Sequence, residues 1–210
     1  MTKAIYVAAL ESHSGKSMFV LGLMQLLLGK LAKVGYFRPV IDDVGAGQID
    51  NHINTVVTHF NLEIPIEDTY ALKQSQVVDM FNNGRQGDIL DTIISKYKKL
   101  EDRYDFVLVE GSDYSEGSII EFDLNIDIAK NLGIPVVLID NGKGKSLEEF
   151  TGNLESAVNS YLQKDIELLA VVANKVKAEN VELVKTTLED ELKEKTIVYK
   201  KALAGLLLDI

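Results

Sequence analysis

The sequence predicts an α/β fold: three layers, with a mostly parallel sheet of about six or seven strands and helices on both faces. Short apolar runs alternate with helical stripes along the whole chain, the signature of strand–helix–strand units whose connections are right-handed. The run FVLVE at 106–110 is apolar until it ends in an acid, as a central strand buried on both faces does. No linker, internal repeat or low-complexity tract breaks the alternation, so residues 1–210 read as one domain.

The first unit holds the strongest chemical signal. Residues 4–10, AIYVAAL, form an apolar strand, and Glu11-Ser12-His13-Ser14 make a polar loop. Gly15-Lys16-Ser17 then opens an apolar helix over 18–31. This order binds phosphates: loop amides and the positive helix end face the anion, lysine neutralises the outer phosphates, and serine holds magnesium. The general pattern has a glycine five residues before Gly15, where this chain has Leu10. The plainer alternative is a helix start whose Lys16 is merely solvated.

Residues 34–40, VGYFRPV, read as the second strand, with Pro39 marking where pairing must stop or lie at an edge. A loop with Asp42, Asp43, Gly45 and Gly47 leads to a helical stripe over 48–60. His52 and His59 lie on it seven apart; without cysteine or a third convergent histidine they read as surface or core-edge residues. Residues 61–86 are the least legible: a loop with Pro65, then a helix near 74–82 ending at Asn83-Gly84. Another helix spans 88–100.

The strand over 104–111 places Glu110 at its carboxyl end, where open α/β sheets bind ligands and where an acid can meet magnesium directly or through water. A helix over 123–132 and a strand over 134–140 come next. The following loop, Asn141-Gly142-Lys143-Gly144-Lys145-Ser146, imitates the first phosphate loop, but a glycine-loosened turn with solvated lysines is the better reading. A helix over 147–162 and a strand over 166–173 land on Asn174-Lys175, before a charged helix over 178–194 and a short strand over 196–199.

Composition narrows the partners. With 46% hydrophobic and 26% charged residues, the chain has the make-up of a soluble globular protein. A net charge of −10 argues against nucleic acid or an anionic membrane as main partner. The absence of cysteine excludes disulfides and thiolate-bound zinc, and fits a cytoplasmic setting. The apolar helix over 18–31 is too short to span a bilayer, and residues 1–10 carry no cleavable leader pattern. The apolar stretch 202–210 suggests a chain cut from a longer one.

Taken in order, VAALESHSGKS, YFRPV, Asp50 with Ile53, YDFVLVEG, GIPVVLID and VVANKV resemble the dethiobiotin synthetase-like P-loop family. Phe37-Arg38-Pro39 and Val109-Glu110-Gly111-Ser112-Asp113 are most similar to its branch at the N-terminus of long bacterial phosphate acetyltransferases. The resemblance covers nearly the whole chain. It implies a P-loop NTPase-like fold in which Ser12, His13, Ser14, Gly15, Lys16 and Ser17 wrap the phosphates of ATP. Ser17, Asp50 and Glu110 would hold Mg2+, Asn174 and Lys175 would meet the nucleotide, and Arg38 would contact substrate or ligand. It also implies an absent C-terminal acetyltransferase domain of the same chain as partner, and a homo-oligomer.

Departures from the ligase pattern make a regulatory and assembly role the first expectation. His13 stands where the ligases commonly carry an acid, Arg38 where they have a lysine, and Ser112-Asp113 where they have a small pair. An ATP-dependent carboxylating ligase is the alternative, and a scaffold with an empty loop is a third reading.

Overall fold

In the computed structural model, residues 3–45, 47–112 and 119–192 are described, with backbone alone at 119–120 and 191–192. Among these residues strands and helices alternate, save for the consecutive pair α3 and α4: β1 (Ala4–Ala9), α1 (Lys16–Leu28), β2 (Val34–Ile41), α2 (Asn51–Phe60), β3 (Tyr70–Lys73), α3 (Gln74–Asn82), α4 (Gln86–Glu101), β4 (Phe106–Glu110), α5 (Ile119–Leu132), β5 (Val136–Asn141), α6 (Leu147–Leu162), β6 (Leu168–Asn174) and α7 (Val181–Leu192). The six strands form one sheet in the order β3-β2-β4-β1-β5-β6, and every pairing is parallel.

Alternation along β1 shows why the sheet needs cover on both sides. Tyr6 and Ala8 enter one core with Ile93 and Tyr97 of α4 and Val158 of α6. Ile5 and Val7 enter the other, with Val20 and Met24 of α1 and Ile53 of α2. Period-two strands thus feed two apolar layers, and helices close both. β1 sits between β4 and β5: its own connection runs through α1 to β2 on one side, whereas that from β4 runs through α5 to β5 on the other. That switch point opens a crevice at the strands' carboxyl ends.

The structure amends the expected elements in three places. The hard stretch 61–86 contains β3, a four-residue edge strand that buries only Leu72, too short to show a period. Pro39 does not end its strand. Arg38 donates its amide to Thr69 O on the β3 side, so the amide that Pro39 lacks faces β4, just past the last rung of that pairing, Phe37 with Val109. β2 therefore changes partner at the proline, running with β4 before it and with β3 to Ile41. α5 starts at Ile119, ahead of the expected 123. The strand expected over 196–199 and the apolar stretch 202–210 lie outside the described residues.

Candidate functional site

The crevice above β1 gathers residues from five segments. β1 delivers the loop, in which His13 (φ 59) and Gly15 (φ 93) take left-handed backbone. For Gly15 this is decisive: a Cβ there would strike Asn174 Nδ2 as well as strain the backbone. Asn174, the last residue of β6, donates from Nδ2 to Ser14 O at 2.7 Å, and Lys175 donates from Nζ to His13 O. The end of β6 thus ties down the loop backbone. Gly15 precedes Lys16, the first residue of α1. Gly15, its N-cap, has no side chain to cap it and its first turn holds no acid; Ser14 Oγ accepts from Lys16 N at 3.4 Å. The remaining amides of the first turn and the positive helix end are left for a ligand.

Lys16 is fully buried and donates to Gly111 O, with Glu110 Oε1 3.7 Å from Nζ. Glu110 is the hub. Tyr36 of β2 donates its hydroxyl to Oε2, and His52 Nδ1 lies 3.0 Å from Oε1. Burial pushes this carboxyl up, but Lys16, the His52 hydrogen bond and Arg38 outweigh it and bring its pKa down to about 2. An ionised carboxylate only accepts, so His52 Nδ1 carries the hydrogen and donates. The same nitrogen stands 3.3 Å from Ser17 Oγ. Burial, reinforced by Glu110, pushes the Tyr36 phenol well above its ordinary range, so it stays a donor.

Asp50 plays a structural part. Its Oδ1 accepts from the amides of His52 and Ile53, each at 3.0 Å, capping α2, and from Arg38 Nη1 at 2.7 Å. Both partners of this ion pair are 3% exposed, so neither charge is screened by water. Arg38 Nε is, among the described residues, the buried side-chain nitrogen with no hydrogen-bond partner. Ser112, which stands where the ligases have a small residue, is turned inward and donates to Val40 O at 3.0 Å, tying the end of β4 to β2. Asp113 lies outside the described residues.

All the residues singled out from the sequence, Ser12 through Ser17 with Arg38, Asp50, Glu110, Asn174 and Lys175, lie at or beside this crevice. His52 was missed. It reads as an edge residue of an amphipathic helix, yet it joins Ser17 and Glu110 across 35 and 58 residues. The only signal was its place two residues after the capping Asp50. His59 stacks edge-on to Phe60 instead.

The donor set does not suit Mg2+, whose sites are built from oxygen ligands in octahedral array. Both Glu110 oxygens and Asp50 Oδ1 are engaged by chain donors, and His52 Nδ1 lies within hydrogen-bond distance of both Ser17 Oγ and Glu110 Oε1.

The second Gly-Lys-Ser loop is built otherwise. Lys145 Nζ grips both oxygens of the fully buried Asp140, at 3.0 and 3.1 Å, and meets Glu11 at 3.3 Å. Ser146 caps α6 by accepting from Glu149 N, and Glu148 and Glu149 occupy the first turn.

A left-handed glycine, Lys-Ser and an uncapped helix at the switch point of a parallel sheet define a P-loop NTPase-like protein. A family model described as an AAA domain matches residues 3–200, and the chain belongs to that family. A phosphate acetyltransferase of Nitratidesulfovibrio vulgaris is 42% identical over 190 residues, covering 89% of this chain and 27% of that protein, in its N-terminal part. An ATP-dependent dethiobiotin synthetase of Clostridium kluyveri is 23% identical over 191 residues, covering 79% of this chain and 77% of that one. A plasmid partition protein from Borrelia burgdorferi superposes with a TM-score of 0.55 at 14% identity, covering all of both chains; it shares the fold.

Proposed function

We propose that this chain is an N-terminal regulatory and assembly domain of a phosphate acetyltransferase, with a P-loop that takes the phosphates of ATP. The observation that carries the reading is the N-terminus of α1, left uncapped and free of acids behind a left-handed Gly15, with Lys16 beside it. The parent protein moves acetyl between coenzyme A and phosphate on a C-terminal domain, and this domain senses ligand for it. Met18 and Leu26, 73% and 52% exposed on one face of α1, suit contact with that domain or a second copy in a homo-oligomer. Among the described residues no helix is long and apolar enough to cross a membrane.

Calorimetric titration with ATP, with Lys16→Ala as control, tests the reading. Binding that the substitution abolishes is expected, and no acetyl-CoA should form from acetyl phosphate and coenzyme A. Robust acetyl transfer by this chain, or ATP affinity untouched by Lys16→Ala, would sink it.

The similarity to dethiobiotin synthetase over 77% of that protein's length favours a second reading, an ATP-dependent carboxylating ligase. ADP release that depends on a diamino acid and bicarbonate would establish it.

A further inference from the structure

We infer that this loop binds phosphate without a divalent cation, the chain's own Arg38 and His52 standing where a metal would otherwise neutralise charge. The inference rests on the proposed phosphate site and specifies the ionic form of its ligand: a metal-free, anionic phosphate chain.

Three observations converge. Asp50 is committed twice over, capping α2 with two amide bonds and pairing with Arg38 inside the protein. Drawing Oδ1 onto a metal would break the pair with Arg38 and leave the guanidinium uncompensated in the interior. Next, His52 Nδ1 lies within hydrogen-bond reach of both Ser17 Oγ and Glu110 Oε1. A cation bound directly by both Ser17 Oγ and Glu110 Oε1 would compete with the imidazole for those two oxygens. Glu110 Oε2 is taken as well, by Tyr36.

The third observation points to the ligand. Arg38 Nε is a buried donor without a partner, a costly state that a phosphate oxygen would relieve. Among the described residues Arg38, Lys16 and Lys175 bring three cations to the loop, two of them paired with Asp50 and Glu110. The remaining amides of the first turn of α1 add to their pull on an anion.

Calorimetric titration of this chain with ATP in excess EDTA and again in excess magnesium separates the outcomes. Affinities equal within about threefold are expected. A gain of about tenfold or more with magnesium would overturn the inference yet leave the nucleotide site standing. Failure to bind in either buffer, with the fold verified by circular dichroism, would remove the nucleotide site and the inference with it. His52→Ala is the sharper probe, because it uncovers Ser17 and Glu110 without touching the Arg38–Asp50 pair. This variant should acquire a magnesium response, and one that stays indifferent to the metal would show that His52 is not the group in its place.

Discussion

Two loops in this molecule carry strand, glycine, Lys-Ser and helix, and the structure puts them to different uses. After β1, Lys16 is already inside α1 and Gly15 bends left-handed before it, so the helix end stays open. After β5, Lys145 lies ahead of the helix and turns back onto Asp140 and Glu11, while Ser146 caps α6 and Glu148 and Glu149 line its first turn. An incoming anion would meet free amides at the first loop and carboxylates at the second. A phosphate site is therefore defined less by its lysine than by what its helix leaves unsatisfied.

The largest test of that contrast exchanges the two lysines for alanine. Lys16→Ala should weaken ATP binding by about a hundredfold or more, since it removes the lysine of the Gly-Lys-Ser turn. Lys145→Ala should leave ATP affinity unchanged but destabilise the fold by about 3 kcal/mol, because Asp140 is then buried without its partner. Titration and urea unfolding on both variants read the two axes. Equal losses of affinity would erase the distinction between the loops.

The acids beside the two loops should respond to pH with opposite sign. The folded pKa of Glu110, about 2, lies below its ordinary 4.5. Its contribution is complete above pH 4.5 and is lost as pH falls toward 2, because protonation must then break the contacts with Lys16 and His52. For Asp140, burial outweighs the lysine and raises the pKa above its ordinary 3.8, so the folded state takes up its proton first and gains stability as pH falls through that folded value. Urea midpoints followed into acid should lose slope in Glu110→Gln and become steeper in Asp140→Asn. The reverse pattern would contradict the electrostatics derived for both sites.

Glycine substitutions sharpen the comparison further. Gly15 and Gly144 both have positive φ, 93° and 84°, but only at Gly15 does an added Cβ meet a neighbour, Asn174. Gly144→Ala should cost about 1 kcal/mol from backbone strain alone, and Gly15→Ala about 2 kcal/mol or more together with loss of ATP binding. The smallest effect belongs to the caps. Ser146→Ala should cost about 1 kcal/mol through the lost bond to Glu149 N, with no change in ATP affinity. A change in affinity there would mean that the second loop takes part after all.

The alternating α/β architecture is legible in the chain alone, because strand and helix periods are local properties of neighbouring residues. The sequence also marked the first loop, whose glycine, lysine and serine are contiguous, and the acid ending β4. It did not show β3, too short for a period, or that Pro39 could sit inside a strand that changes partner. It set the second Gly-Lys-Ser loop apart from the first but read Lys145 as solvated, since ion pairing depends on where Asp140 and Glu11 fall in space. Only the tertiary structure brought His52 between Ser17 and Glu110 and closed Arg38 onto Asp50. The reason is physical. A side chain's chemistry is written at its own position, but its charge state and its partner are set by burial and by residues that the fold delivers from elsewhere.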